Sequence, residues 1–495
     1  LDGNSARKPS TTMLSTRPLP SEQGDSMSNS PRVWEHVDGL AGRFIELSDK
    51  VWETPELNYQ EYRSSGEHLR MLREHGFRVE TGLAGMPTAI MGEAGEGGPV
   101  IAFLGEFDAL PGLSQEAGAT EYRPFARDEP GHGCGHNLLG AGAMLAATAV
   151  KDWLAANNLP GRVRYYGCPA EEGGAGKAFM VRDGIFADVD AAISWHPFAF
   201  AGVMEPVALA YAILDFSFTG RSAHAAGSPH LGRSALDAVE LMSVGVNYLR
   251  EHIPTDCRVH YAYLDSGGPA PNVVQASAVV RYIVRSPRAA EVLMLIERVR
   301  RIAEGAALMS ETPVEPRLVC AMNSLLGNRV LEDLMARNFE ILGPPVFDEK
   351  DEAFAQQIQG TLTKEHVQSA YAMFGLEPGN TALCNRIVRT GSGGKQMLGS
   401  TDVGDVSWAI PTVQAYGATL AIGTPLHTWQ VTAQGKSPHA QKGMIHVSRV
   451  MAATGVDLFG NPDLLAQAKK EHASRLAHDP VVRILPPDLM PPLDG

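Results

Sequence analysis

The stretch Gly131-His132-Gly133-Cys134-Gly135-His136-Asn137 sets one thiol and two imidazoles at alternate positions, with only glycine between them. Thiolate and imidazole are preferred protein ligands of zinc and related ions. The glycines let the chain turn sharply and clear space around those side chains. The small and apolar run from Leu138 to Leu154 predicts a helix with Asn137 as its N-cap. A helix N-terminus also favours the thiolate form of Cys134. A closed structural zinc site would normally show CxxC pairs, and none is present. The pattern therefore predicts the centre of a metal-dependent hydrolytic site, completed by ligands from elsewhere in the chain.

Candidates for those ligands are Glu171-Glu172, His196 and His427. Adjacent acids are usually only solvated, but these follow an apolar strand and precede two glycines. One can bind metal while the other handles protons. His196 and His427 each read equally well as satisfied core histidines. Asp108 closes the segment Gly105-Glu106-Phe107-Asp108 after another apolar run. Further on, His224 sits among small residues, and Asn272 and Arg285 offer an amide and a cation to an anionic substrate. A rival reading makes Cys134 a nucleophile with His136 as its base.

These residues need elements to hold them. Residues 33–76 predict two helices broken at Thr54-Pro55. Runs 99–104, 162–166 and 191–197 predict buried strands, alternating with helices, so an α/β sheet with a parallel core is expected. Asp108, Glu171, Glu172 and His196 fall at the carboxyl ends of those strands, where such sheets gather ligands. Between 211 and 325 the rhythm becomes β-α-β-β-α-β: strands at 211–219, 258–264, 276–284 and 314–320, helices at 234–249 and 289–308. This is the ferredoxin-like split unit, read as an insertion. The expected division is a disordered tail at 1–30, a metal-binding domain from 31–208 and 326–495, and an inserted domain at 209–325. Beyond it, loops are expected at 391–395 and 400–405 and a strand at 415–422 leading to His427. Helices are expected to about residue 477.

At 495 residues, 44% of them hydrophobic, the chain is long enough for two cores. A formal charge of −14 argues against nucleic acid or an anionic membrane as partner. The five cysteines are scattered and odd in number, which fits a reducing, cytoplasmic setting. No secretory signal or membrane-spanning segment is expected.

Taken together, GEFDALP (105–111), GHGCGHN (131–137), AEEGG (170–174), WHP (195–197), GRSAHAA (220–226), APNVV (270–274) and GTPLHTW (423–429) resemble, in order, the amidohydrolase branch of the di-metal aminoacylase and carboxypeptidase superfamily. Within it, they look most like the group formed by the B subunits of aminobenzoyl-glutamate hydrolases. The resemblance implies two divalent ions, manganese or zinc, held by Cys134, His136, Glu172, His196 and His427, with Cys134 bridging. It implies Glu171 as the general base and Asp108 as the acid that orients a ligand. It implies His224 as a lid histidine able to reach the site of a neighbouring protomer. The inserted unit then corresponds to a lid and dimerisation domain. The expected activity is hydrolysis of N-acyl or N-aroyl amino acids, with p-aminobenzoyl-glutamate the best guess. A dipeptidase or aminoacylase, or a partner-dependent non-catalytic subunit, are the alternatives, and a homodimer with a possible sister subunit is expected. The chain departs from the plain amidohydrolases at Glu106, usually Asp, and at Asn137, also usually Asp.

Overall fold

The computed structural model describes residues 30–388 and 399–493. The expected loop at 391–395 and nearly all of the expected tail lie outside them.

The chain opens with α1 (Ser30–Trp52). Its Val33, Val37, Phe44, Leu47 and Val51 recur at helical spacing and are fully buried. The break at Thr54-Pro55 separates it from α2 (Tyr62–Glu74). Two strands that the sequence did not announce follow, β1 (Arg78–Thr81) and β2 (Ile90–Glu96). The alternation then proceeds through β3 (Val100–Glu106), α3 (His136–Ala156), β4 (Gly161–Cys168), α4 (Gly176–Arg182), β5 (Ala191–Phe198) and the short β6 (Ala201–Val203).

A separate sheet intervenes. Its elements are β7 (Ala210–Thr219), α5 (Ala235–Leu249), β8 (Arg258–Asp265), β9 (Ser277–Ser286), α6 (Ala289–Ser310) and β10 (Val314–Met322). All its pairings are antiparallel, in the order β10-β7-β9-β8. Strand β9 alternates strictly. Ala278, Val280, Tyr282 and Val284 are buried, while Arg281, Ile283 and Arg285 point to the other face.

The chain then returns through α7 (Arg329–Leu342), α8 (Glu349–Gln359), α9 (Lys364–Met373), β11 (Ile387–Val388), α10 (Val403–Ala409), β12 (Thr412–Ala418), α11 (Trp429–Gln434), α12 (Pro438–Gly460) and α13 (Pro462–His478). The first sheet has the order β1-β2-β4-β3-β5-β12-β6-β11. Its centre, β4-β3-β5-β12, is parallel, so the strand ends that carry the acidic and histidine motifs open on one side.

Helix α3 lies against that sheet and beside α1 and α12. It is long and apolar enough to cross a membrane, but 83% of its apolar window is buried inside the protein. Its small residues permit this packing: a Cβ at Gly140 would stand 2.5 Å from the Glu106 carbonyl oxygen. The helix is thereby locked to the end of β3.

Three local expectations are corrected. Gly135, at φ 79°, occupies the N-cap of α3. Asn137 lies inside the first turn, where its amide donates to Ser48 Oγ and the Gly435 carbonyl. The stretch 400–405 is only partly loop, because α10 begins at Val403, with Asp402 as its N-cap. Strand β12 stops at Ala418, since Thr419 and Leu420 both donate to the Phe198 carbonyl and turn the chain.

Candidate metal centre

Parallel pairing brings β3, β4 and β5 to a common rim, and the loop before α3 crosses it. His136 is fully buried there. Its Nδ1 lies 2.8 Å from Asp108 Oδ1. That contact leaves Nε2 facing the cluster, the arrangement that orients a metal-binding histidine. Around Nε2 stand Glu106 Oε2 at 3.2 Å, and Glu171 Oε2 and Glu172 Oε1 at 4.0 Å each. His196 repeats the device. Its Nδ1 donates to the Pro197 carbonyl at 2.8 Å, and Nε2 faces Cys134 Sγ at 3.4 Å.

The pair Glu171-Glu172 sits on a tight turn that two buried carboxylates pin. Asp108 Oδ2 accepts the Glu172 N–H at 2.9 Å, and Glu61 Oε1 accepts the Ala170 N–H at 2.9 Å. Ala170 itself is held at φ 56°. Glu61 went unnoticed in the sequence because nothing around it marks a site. His427 arrives from a turn past β12, at φ 61°, with its N–H donated to the Gly133 carbonyl. Its Nε2 lies 3.2 Å from Glu172 Oε2.

Donor atoms of Cys134, His136 and His196 lie within 4.8 Å of one another, as do those of Cys134, Glu172 and His427. Cys134 is common to both groups. The residues fit cations in a second way. Glu106 Oε2, His136 Nε2 and Glu172 Oε1 are all buried without a hydrogen-bond partner, which is costly unless a cation satisfies them. Without an ion, burial pushes the Cys134 thiol well up and Glu172 adds to it, so thiolate chemistry here calls for a cation. His136, the base in the rival cysteine mechanism, faces carboxylates as well as Cys134.

Electrostatics separates the two adjacent acids. Burial holds the Glu171 carboxyl well above its usual range, and Glu106 and Glu172 reinforce the shift. Burial also opposes ionisation of Glu172. There, the bond to His427 and the charge on His136 outweigh it and lower the pKa. Neighbouring carboxyls driven apart in this way are suited to different tasks, one to proton transfer and one to charge binding.

Above the cluster is a cavity of about 290 Å³. Cys134, Glu171, Glu172, His196 and His427 form its floor, and Tyr211, Ile213, Ile283 and Met322 from the second sheet form an apolar wall. Arg285 also lines it, with its guanidinium 5.6 Å from the Tyr211 ring centre and its Nε buried without a hydrogen-bond partner. His224 and Asn272 are exposed and do not line this cavity. His224 Nδ1 accepts the N–H groups of Ala226 and Gly227, and Ala225 donates to the Asn272 carbonyl.

Residues 102–428 match the model of peptidase family M20/M25/M40. Over 441 residues the chain is 47% identical to the B subunit of p-aminobenzoyl-glutamate hydrolase from Escherichia coli (strain K12), spanning 87% of this chain and 92% of that protein. It is 28% identical to the Xaa-Arg dipeptidase of Mus musculus over 90% of this chain and 93% of the other. Among solved structures, the Bacillus subtilis YXEP protein, a dinuclear metal binding peptidase from the M20 family, superimposes with a TM-score of 0.54 at 18% identity. That match covers 86% of this chain and 99% of the other. The chain belongs to peptidase family M20/M25/M40 and is a metal-dependent amidohydrolase or peptidase of that family.

Proposed function

We propose that this protein hydrolyses the amide bond between an acyl or aroyl group and an amino acid, and that p-aminobenzoyl-glutamate is its substrate. The observation that carries the reading is the convergence of Cys134, His136, Glu172, His196 and His427 beneath a cavity that pairs an apolar wall with Arg285. An aromatic acyl group suits the wall, and a substrate carboxylate suits the guanidinium. The likeness to the E. coli p-aminobenzoyl-glutamate hydrolase protein supports the same substrate.

In this reading those five side chains would hold two divalent ions, Cys134 belonging to both donor groups. The ions would polarise the scissile carbonyl and acidify a water molecule. Glu171 takes a proton from the attacking water and returns it to the leaving amine. Asp108 fixes the tautomer and direction of His136. Arg285 binds the substrate's polar end, and Asn272, which lies beside His224 outside this cavity, does so from a second copy. Because its Nδ1 already accepts backbone N–H groups, His224 carries its proton on Nε2 and can donate to a developing oxyanion. In a single chain, however, it is exposed. We therefore read residues 209–325 as a ferredoxin-like lid and dimerisation domain that delivers His224 to the site of a second copy. Residues 31–208 and 326–495 form the catalytic domain.

The thiolate favours zinc, whereas the carboxylates and the resemblance favour manganese. The E. coli relative is named as one of the subunits of its hydrolase, which supports a sister subunit here too. Five free, buried cysteines support a cytoplasmic setting.

The test is glutamate release from p-aminobenzoyl-glutamate by metal-stripped protein, with and without added manganese or zinc. Metal-restored release is expected. Glu171→Ala should lose at least about a hundredfold in turnover with both ions still bound. Retained turnover in that variant would refute the assignment of Glu171. A wild-type protein with two ions bound and no release would refute the substrate.

A further inference from the structure

We propose that Glu106 is itself a metal ligand, adding a carboxylate oxygen to the ion held by His136, and that a buried Lys177–Asp402 pair holds it in that position. The proposal rests on the metal-centre reading above and goes beyond it, since that reading gives Glu106 no role.

Glu106 ends β3 and is only 2% exposed. Its Oε1 is tied to Lys177 Nζ at 2.6 Å. Lys177, in the first turn of α4, is fully buried and pairs at 2.5 Å with Asp402 Oδ1, while its backbone N–H donates to Asp402 Oδ2 at 2.8 Å. Two carboxylates and one ammonium thus form a dry, closed unit beneath the rim. A buried charge is tolerated only when paired in this way.

The unit fixes one oxygen of Glu106 and leaves the other facing the cluster. Oε2 is buried, has no hydrogen-bond partner and lies 3.2 Å from His136 Nε2, which also has none. Since His136 Nδ1 is committed to Asp108, Nε2 is the ring atom turned to Oε2. Lone pairs at that separation repel unless a cation, the ring's own second proton or a metal ion in its place, lies against both. Donors that share one ion at metal–ligand distances of about 2.1 Å stand roughly 3.0–3.4 Å apart in octahedral or tetrahedral geometry. The observed spacing falls in that range. Glu171 Oε2 completes a group with Glu106 and His136 inside 4.8 Å.

An aspartate here would fall one carbon–carbon bond short of the same point while keeping the charge. The longer side chain reaches both Lys177 and the cluster. The added donor is a hard oxygen in a set otherwise rich in nitrogen and sulfur, so it should favour manganese over zinc.

Two measurements test this. The first is the crystal structure of the unmodified protein loaded with manganese. A Glu106 Oε2–manganese distance near 2.2 Å is expected. Two ions at the cluster with Glu106 beyond about 3 Å would overturn the proposal and leave the metal-centre reading standing, because both quantities come from one map. No ion at the cluster would overturn both. The second is metal binding by Glu106→Gln, which keeps the shape and can still accept from Lys177. Manganese affinity, read by equilibrium dialysis, should fall at least about tenfold, and zinc affinity less. An unchanged manganese isotherm in a folded variant would overturn the assignment. If the variant does not fold, the map of the unmodified protein decides.

Discussion

The two sheets treat their functional side chains in opposite ways. On the large sheet, Asp108, Cys134, His136, Glu171, Glu172, His196 and His427 come from separate strands and loops, yet they meet within a few ångströms; the first four are almost wholly enclosed, Glu172 and His196 are partly buried and His427 is exposed. On the small sheet, Arg285 reaches the cavity, whereas His224 and Asn272 lie exposed on loops away from it. Parallel pairing explains the first outcome, because it stacks strand ends on one rim. The antiparallel unit has no such rim. Its strand face supplies a wall, and its loops remain available to something outside the chain.

The sharpest break in that comparison is at His224. If it serves a second copy, His224→Ala should lower kcat by about 10²–10³ with metal content and melting temperature unchanged. Mixing His224→Ala with Glu171→Ala chains should then restore roughly a quarter of wild-type turnover, since half the pairs are mixed and each has one complete site. Steady-state assays after protomer exchange check this. If the mixture stays inactive while exchange is demonstrated, each site relies on its own chain, and the small sheet serves only as a wall.

A smaller effect is expected at Arg285, the residue that joins the two regions. Replacing it with Met keeps much of its bulk over Tyr211 and removes the charge. A charge-assisted contact to a substrate carboxylate corresponds to roughly 10- to 100-fold in KM, with a lesser change in kcat. The same variant should lose discrimination against a substrate in which that carboxylate is amidated. An unchanged KM would remove Arg285 from the binding site.

How far the sequence disclosed this arrangement follows from where each residue's partners lie. The strands around Phe103, Tyr165 and Ile193 are continuous apolar runs, and glycines mark the Cys134 and Glu171 turns, so local pattern was enough. The small sheet was legible because β7 to β10 and two amphipathic helices repeat familiar periods. Strand β1 was not, since Arg78–Thr81 is almost all exposed and has no alternation to detect. Lys177 and Asp402 are 225 positions apart, and nothing local to either predicts that they are paired and dry. Asn137 looked like a cap by residue type, but distant partners, Ser48 and Gly435, claim its amide.

The least expected difference between the regions is in their response to acid. His68, His439 and His446 are buried in the large-sheet region, each with one ring nitrogen hydrogen-bonded and the other without a partner. Burial lowers each pKa to about 4 from the ordinary 6.5. The histidines of the small unit, His224, His230, His252 and His260, are all exposed. A buried neutral imidazole binds no proton between pH 6.5 and 4, whereas the unfolded chain does. Each such group therefore adds stability that is full above pH 6.5 and declines as pH falls toward 4. Buried acids with raised values, such as Glu61 at about 8 and Asp405 at about 7, contribute with the opposite slope and obscure the total. A single substitution isolates the imidazole, because those acids titrate in both proteins. His446→Gln keeps a donor for the Gly343 carbonyl and removes the titrating ring. Its stability deficit relative to wild type should shrink by about 2 kcal/mol between pH 7.5 and pH 5 in denaturant melts. The same exchange at His260, whose pKa is lowered less by partial burial and by Arg250, Arg285 and Arg258, should change the difference in the same direction but by much less. A deficit at His446 that is independent of pH would mean that its ring takes up its proton over the same pH range folded and unfolded, and the contrast between a dry large-sheet region and a wet small one would fail at that position.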